Sequence, residues 1–334
     1  VLDATPASTY AHVPNRKMFD AISMQMAQCP FEVMIGNDAY HFQPSVRKDG
    51  KAPIDTLMTR GYEMAYTSLD MMNVKGYKLC ALLSGKDAPN AVKRGRMLTM
   101  GAMKAIEILN HYDNGFTLMI EGSQIDWACH GNDAATVIGE VLEFDKSIAL
   151  AYEFYQKHPD ETLIVVTADH ETGGLALGNS DYTLHLKELK NQTHSSTIIS
   201  EELKALRAQY GKKLTFEQVK NFLSKNLGLY TEVKVSAEEN AMLQDLYKKM
   251  MKNKASDYKN MYASLDAISS AALKLLNKKA HLGWTTNSHS ASPVPVFAIG
   301  AGAERFNGHF DNSEFMSRIL GPKAEKQEGV VRFK

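Results

Sequence analysis

An adjacent carboxylate and imidazole, Asp169 and His170, follow a run of apolar residues in the segment LIVVTADHETGG. The run from Leu163 to Ala168 is typical of a buried strand, and open α/β sheets bind their ligands where such strands end. In an alternative interpretation, Asp169 caps the next turn and His170 packs against it. The pair therefore indicates either a ligand site or a local cap.

A second Asp and His pair, Asp126 and His130, has the spacing of one helical turn and follows the apolar segment FTLMIEG, where Glu121 stands near the strand end. On a helix both side chains would project from one face and could hold the same ion, although an isolated pair of this kind is more often a surface feature. His289 precedes another apolar run, PVPVFAIG. Carboxylates and imidazoles from three strand neighbourhoods together are typical of a multinuclear metal site.

Short apolar runs and helical patterns alternate along the chain. The runs predict strands at Phe31–Ile35, Tyr77–Leu83, Phe116–Ile120, Leu163–Ala168 and Val294–Ile299. Helical periods predict helices at Met97–His111 and from about Ala134 to Lys157. This alternation predicts an α/β fold in which helices sandwich a mainly parallel sheet.

Residues 184–279 break this alternation, since they are polar, rich in Lys and helical in period, without a convincing strand. We predict a helical insertion over this range, acting as a solvated lid or a contact surface. Residues 1–183 and 280–334 then form one α/β metal-binding domain.

The composition excludes some partners. Lys plus Arg and Asp plus Glu both number 38, so no overall basic field favours nucleic acid or an anionic membrane. The apolar runs are too short for a membrane span. The cysteines Cys29, Cys80 and Cys129 have no CxxC spacing, which argues against a disulfide framework or a zinc ribbon.

Four segments resemble, in the same order along the chain, those of the alkaline phosphatases: DATPASTYAHVPNR, FTLMIEGSQIDWACHGND, LIVVTADHETGGL and GWTTNSHSASPVPVFAIGAGAE. The resemblance implies an alkaline phosphatase-like fold and hydrolysis of phosphate monoesters, with release of inorganic phosphate. It also implies two Zn²⁺ ions, one Mg²⁺ ion and a phosphoserine intermediate.

The resemblance further implies a role for individual residues. The metal ligands would be Asp126, His130 and His289 for the first zinc, Asp169 and His170 for the second zinc, and Glu121 and Thr5 for magnesium. Arg16 would bind two phosphate oxygens, and Asp3 would hold metal-bound water or the arginine. Trp127 would lie near the phosphate, although packing alone also explains a tryptophan there. Cys29 resembles half of a disulfide in some members, but Met18 stands near the partner position, so we expect a free thiol.

The serine nucleophile of the family stands in an Asp-Ser-Ala motif, and this sequence contains no Asp-Ser pair. We interpret the chain as an alkaline phosphatase without the N-terminal part that carries this serine and an Asp bridging zinc and magnesium. The hypothesis predicts at most one tightly bound zinc and no turnover by the chain alone. Apolar surface exposed by the missing part would favour self-association, or a homodimer.

Two other interpretations stay open. A phosphomutase or phosphodiesterase of the same superfamily would reuse similar ligands, and a noncatalytic metal-binding pseudoenzyme could keep the scaffold without the reaction. Members of the family are usually exported, so the resemblance implies a periplasmic or secreted protein.

Overall fold

The computed structural model describes residues 1–37, 39–83, 97–179, 182–259 and 263–321. The α-helices are Ala4–Ser8, Phe19–Gln28, Pro53–Thr59, Ser68–Asn73, Met97–Leu109, Ser123–His130, Ala134–Lys157, Ser196–Tyr210, Phe216–Leu227, Ala237–Met251, Ala267–Lys279 and Phe315–Leu320. The strands are Val33–Asn37, Glu63–Ala65, Leu79–Leu83, Leu163–Val166, Glu171–Thr172, Leu175–Leu177, Tyr258–Lys259, Ser264–Leu265, Leu282–Trp284, His289–Ser290 and Phe297–Gly300.

A three-stranded parallel sheet forms the first part of the fold. Its central strand, Leu79–Leu83, pairs with Val33–Asn37 on one side and with Glu63–Ala65 on the other. Every residue of the central strand is buried, as expected for an uninterrupted apolar run covered on both faces. Alternate residues of this strand join two separate core clusters, to which helices Phe19–Gln28 and Met97–Leu109 respectively contribute. Because side chains alternate along a strand, these helices cover opposite faces of the sheet.

Four of the predicted strands overlap observed ones, but the fifth, Phe116–Ile120, forms no strand in the described part of the chain. The prediction of a mainly parallel sheet is also only partly met. Leu163–Val166 pairs with Phe297–Gly300 in antiparallel orientation and does not join the three parallel strands. Apolar periodicity predicts that a segment is extended, but it specifies neither the neighbour nor its direction, which explains both differences.

The long helix Ala134–Lys157 has the bounds predicted from the sequence, and it packs against the shorter helix Ser123–His130. Asp133, which is fully buried, caps its first turn by accepting hydrogen bonds from the backbone N–H and the hydroxyl of Thr136. The same carboxylate accepts from the Gln192 amide at 2.7 Å and from the Ser196 backbone N–H at 2.6 Å. One buried anion therefore ties this helix to the segment that follows residue 184.

The helices between residues 196 and 279 enclose a core of their own, which the polar composition of this segment did not predict. Leu203, Leu223 and Leu243 from three of these helices are fully buried in one cluster. The cluster also includes Ala134 and Leu282, which lie outside the predicted insertion. These helices therefore pack onto the segments that flank them. A pair of two-residue strands, Tyr258–Lys259 and Ser264–Leu265, was also not predicted.

Among the described residues, no helix combines the length and the hydropathy that a membrane crossing requires. The three cysteines are free and buried. This agrees with the free thiol expected for Cys29.

Candidate metal centre

Asp126 and His130 lie one turn apart on helix Ser123–His130, as their spacing predicts. The Asp126 Oδ1 and His130 Nε2 atoms are 3.5 Å apart, and the imidazole of His130 is fully buried. The other ring nitrogen of His130, Nδ1, lies 2.6 Å from the carbonyl oxygen of Asn287. A carbonyl can only accept a hydrogen bond, so Nδ1 carries a proton and Nε2 is the ring nitrogen that faces the centre.

His289 reaches the same place from a part of the chain more than 150 residues away. It lies in the short strand His289–Ser290, which pairs with Glu171–Thr172 so that His289 stands opposite Thr172. Its Nε2 is 3.2 Å from Nε2 of His130. Burial and the neighbouring imidazole of His170 lower the pKa of His289, which favours the neutral ring that metal binding requires.

His170 completes a group of three imidazoles. Its ring stacks on that of His289 with 3.5 Å between the ring centroids. Its Nδ1 lies 3.1 Å from the Thr172 hydroxyl, and that hydroxyl donates its single proton to Asp126 Oδ1 at 2.6 Å. Nδ1 of His170 must therefore donate to the hydroxyl, which leaves Nε2 of His170, like that of His130, as the ring nitrogen available to an ion.

The donor atoms of Asp126, His170 and His289 all lie within 4.8 Å of one another. Carboxylate oxygen and neutral imidazole nitrogen are ligands that zinc accepts, and catalytic zinc usually has three protein ligands. Ring nitrogens held by a carbonyl or a hydroxyl on the far side are also typical of metal-binding histidines. The residues present therefore fit a zinc ion. This group of three does not match the implied ligand sets. The resemblance assigns Asp126 and His289 to the first zinc and His170 to the second.

Asp169 lies outside that group of three, although it is close to it. Its Oδ2 is 3.3 Å from Nε2 of His170, and its side chain is largely exposed. The structure therefore brings the adjacent Asp169 and His170 together at the end of strand Leu163–Val166.

Glu121 is a partly buried carboxylate surrounded by other acids. Burial raises its pKa to about 7; the positive charge of the N-terminal amino group opposes the increase, and the negative charges of Asp169, Asp126 and Asp3 add to it. A divalent cation would relieve this repulsion, so the surroundings of Glu121 fit a magnesium ligand. Thr5, the other implied magnesium ligand, is exposed in helix Ala4–Ser8.

Arg16 forms an ion pair with Asp3. Its Nη2 and Nε atoms lie 2.7 Å and 3.0 Å from Asp3 Oδ1. Asp3 also caps helix Ala4–Ser8 by accepting from the backbone N–H of Ala4. The Arg16 side chain is 54% exposed, and exposed pairs contribute only about 0–1 kcal/mol. A guanidinium in this position can therefore exchange its carboxylate partner for an anionic ligand at little cost.

Trp127 and Cys129 lie on the same helix as Asp126 and His130. The indole of Trp127 is 44% exposed, so it is available to a ligand and is not a core residue. Cys129 is buried, and burial followed by the charge of Asp126 raises the pKa of its thiol to about 12. This thiol is therefore protonated at neutral pH, in agreement with a packing role.

Three residues that the sequence argument missed support the centre. Thr172 and the carbonyl of Asn287 fix the histidine protons, and Glu171 accepts hydrogen bonds from the Gly174 backbone N–H at 2.7 Å and from the Ser290 hydroxyl. Thr172 stands two residues after His170, and alternation along a strand was a signal that could have found it. The carbonyl of Asn287 has no sequence signal.

Comparison with known proteins agrees with the resemblance. The family model "Alkaline phosphatase" matches residues 1–321. Alkaline phosphatase 3 of Bacillus subtilis is 29% identical over 330 residues, covering 96% of this chain and 65% of the relative. A cold-active alkaline phosphatase from a Shewanella species superposes with a TM-score of 0.76 at 26% identity, covering 96% of this chain and 72% of that one.

A mutant TAB5 alkaline phosphatase, solved with Mg bound in its M3 site, gives a TM-score of 0.59 at 25% identity and covers 96% of this chain and 68% of that one. A family model that matches nearly all of the described chain defines its class. The chain belongs to the alkaline phosphatase family. It spans less than two thirds of the length of the Bacillus relative.

Proposed function

We propose that this chain carries the metal-binding and phosphate-binding residues of a phosphate monoester hydrolase. The observation that supports this most strongly is the meeting of His130, His170 and His289 with Asp126, since these residues come from three separated segments. Side chains so far apart in sequence converge in this way when they share a ligand, and their atoms are those that bind zinc.

In this proposal Asp126, His130 and His289 hold the first zinc, and Asp169 and His170 hold the second. Glu121 and Thr5 hold magnesium. When bound, the metal ions supply positive charge beside the phosphate and favour ionisation of a nucleophile. The residues themselves orient these ions: Thr172 keeps the Asp126 carboxylate and the His170 ring in place, and the carbonyl of Asn287 fixes the ring of His130.

Arg16 binds the phosphate in this proposal. A guanidinium can donate two parallel hydrogen bonds to two phosphate oxygens, whereas a lysine ammonium acts as a point charge. Asp3 pairs with Arg16 in the absence of phosphate, and in this proposal the phosphate takes the place of the carboxylate. Trp127, which is exposed on the same helix as Asp126, would cover the bound phosphate.

The chemical step needs a nucleophile, which in the family is a serine that becomes phosphorylated. Because the 334 residues contain no Asp-Ser pair, we propose that the chain alone does not turn over phosphate monoesters. Because only Asp169 and His170 are assigned to the second zinc, we also propose that the chain alone binds at most one zinc tightly. A family relative from Streptomyces griseus carries the name streptomycin-6-phosphate phosphatase, so a sugar-like alcohol is one substrate class that we consider for this chain.

We also propose that the protein is exported to the periplasm or secreted and that it self-associates. Self-association is supported by apolar side chains exposed near strand Phe297–Gly300, where Phe297 is 64% exposed and Ile299 38%. Sedimentation at increasing concentration tests this part, and a single monomeric species throughout would contradict it.

Calorimetric titration with inorganic phosphate tests the main proposal. Chain loaded with zinc and magnesium should bind phosphate, and the same chain treated with a chelator should not, because the metal charge is needed to hold the anion. Equal phosphate binding by both samples would contradict the proposal. Release of nitrophenol from p-nitrophenyl phosphate by the loaded chain would show that the nucleophile lies within these residues.

A further inference from the structure

The helices between residues 196 and 279 carry a local excess of positive charge that the overall neutrality of the chain conceals. Because the whole chain is formally neutral, the remaining residues carry an equal negative excess. Charge that is segregated in this way favours a partner of the opposite sign. Residues 205–215 and 246–256 contain seven basic residues and no acidic one: Arg207, Lys212, Lys213, Lys248, Lys249, Lys252 and Lys254.

These two segments are the C-terminal ends of two helices, each with the turn that follows, and they lie side by side. The Nη2 atom of Arg207 donates to the carbonyl oxygen of Met250 at 2.9 Å. The hydroxyl of Tyr247 donates to the carbonyl oxygen of Leu214 at 2.7 Å. The seven basic residues therefore belong to one surface, which we call the basic surface.

Most of the charge on the basic surface is not neutralised by ion pairs. All six of its lysines are exposed. Lys249 pairs with Asp245 at 2.8 Å, whereas the other five lysines form no ion pair within the described part of the chain. Asp257, the acid that follows these segments, pairs with Lys204 at 2.8 Å. Five ammonium groups are therefore available to a partner outside the chain.

The helix dipole explains only part of this charge. Cations in the last turn of a helix interact favourably with its C-terminal end. Lys248 and Lys249 have that position in helix Ala237–Met251. Lys212 and Lys213 lie beyond the end of the preceding α-helix, where this effect falls off. Their charge is therefore explained better by a partner than by the helix.

The chemistry of the basic surface fits a layer of anionic lipid headgroups better than it fits a nucleic acid. Lysine is a hydrated point charge that suits a diffuse array of phosphates, whereas nucleic acids are read by arginine forks or several stacked aromatic rings. Arg207, the one arginine of this surface, already donates to Met250 and to the side chain of Asn253.

One exposed aromatic ring accompanies the lysines. Tyr210 is 39% exposed, and it is the only exposed aromatic residue of the two segments, both of which the structure describes completely. An amphipathic ring beside lysines is typical of a contact at the interface between a membrane and water. A single ring is too few for a platform on which successive bases would stack.

We propose that the basic surface binds an anionic lipid bilayer through electrostatic contact with its headgroups. Clusters of roughly four to eight basic residues close to a membrane bind anionic lipids in this way. The contact is peripheral, because lysine ammonium groups stay at the level of the headgroups. It does not depend on the proposed hydrolysis of phosphate monoesters, since no residue assigned to the metals or to phosphate belongs to the basic surface.

Co-sedimentation with vesicles tests this proposal on chelator-treated protein, in which no metal ion can hold lipid phosphate. The protein should bind vesicles of phosphatidylglycerol and phosphatidylcholine in equal parts at low salt, but not vesicles of phosphatidylcholine alone. Salt at about 1 M should abolish the binding, because the screening length falls to about 3 Å. Equal binding to both kinds of vesicle, or binding that salt does not weaken, overturns the proposal.

The double variant Lys212→Gln/Lys213→Gln should bind the anionic vesicles about 25-fold more weakly, since each lysine close to such a surface contributes about fivefold. Lys51→Gln/Lys75→Gln is the matched control, because it removes the same charge from two exposed lysines outside the basic surface. This control should bind like the unchanged protein. Equal losses in the two variants overturn the proposal. Tighter binding to a DNA duplex than to the anionic vesicles, at equal phosphate concentration, also overturns it.

Discussion

At the scale of single residues, the direction of two hydrogen bonds determines what the centre can do. The carbonyl of Asn287 and the hydroxyl of Thr172 each face the Nδ1 atom of a histidine, so the Nε2 atoms of His130 and His170 are the ring nitrogens left for an ion. Without these partners, either ring could present an N–H group and lose its value as a metal ligand.

Replacing Thr172 with valine should weaken zinc binding about 10–100-fold, the usual effect of losing a partner of a metal ligand. Valine has a similar shape but cannot donate to Asp126 or accept from His170. Competition with a zinc-binding dye measures the change. In the control Thr193→Val, a hydroxyl that donates to Asn226 on helix Phe216–Leu227 is lost, and zinc affinity should not change. Equal losses in both variants would contradict the role of Thr172.

Replacing Arg16 with lysine should lower phosphate affinity about tenfold in metal-loaded protein, because one of two parallel hydrogen bonds is lost. The free energy of unfolding should change little, since the exposed pair with Asp3 contributes about 0–1 kcal/mol. Phosphate titrations measure the affinity, and Arg207→Lys is the control. Unchanged phosphate affinity in Arg16→Lys would show that the Arg16 guanidinium does not bind phosphate.

Sequence patterns predict the residues that can bind a metal. They predict less well the residues that hold those ligands in position. Asp126 and His130 are recognisable because helical spacing and residue type coincide, and the structure brings both to His289. The support from Asn287 is a backbone carbonyl, which every residue has, so its side chain gives no indication of it. The assignment of each residue to a particular zinc ion, and of Glu121 and Thr5 to magnesium, stays a prediction.

At the scale of elements, the centre depends on two short pairings more than on the long helices. His289–Ser290 pairs with Glu171–Thr172, and Leu282–Trp284 pairs with Leu175–Leu177. The tight connection between Glu171–Thr172 and Leu175–Leu177 passes through Gly173 and Gly174, both with positive φ. Strands of two or three residues have too little periodicity to predict, which is why these pairings were missed.

Replacing Gly174 with alanine should destabilise the protein and disturb zinc binding. Its φ is +58°, and an added Cβ would clash with the Thr285 hydroxyl oxygen, so either the Thr285 side chain or the connection must move. Gly115→Ala is the matched control, because its φ is +75° but no atom lies within 4 Å of an added Cβ. In the control, strain in the backbone alone should lower the free energy of unfolding by about 1–2 kcal/mol. Thermal unfolding and zinc titration measure both effects, and equal behaviour of the two variants would contradict this reasoning.

The whole molecule joins an α/β part, in which the long helix and two of the three parallel strands were predicted, to helices whose core was not predicted. Ile199 and Leu276 are fully buried there, although the surrounding sequence is rich in Lys. Long polar side chains on the outer faces dominate the composition of such a segment and conceal its narrow apolar stripe. The family model matches residues 1–321, so the match includes both the α/β part and the helices between residues 196 and 279.

The cysteines test whether the whole fold is as compact as described. All three are buried, and burial raises the pKa of the Cys80 and Cys129 thiols to about 12. Because the thiolate is the reactive form, native protein should react only slowly with Ellman's reagent at about pH 8. Denatured protein should release three equivalents of the coloured product per chain. Rapid reaction of native protein would contradict the packing.

Zinc affinity in His289→Ala tests the central claim, the convergence of distant histidines on one ion. Removing a direct ligand should lower the affinity by more than about 100-fold, beyond the effect of losing a supporting partner. His185→Ala is the control, since His185 also stacks on a histidine, His281, at 4.1 Å, but not at the centre. We expect normal zinc affinity in His185→Ala. Zinc binding in His289→Ala equal to that of the unchanged protein would contradict the account.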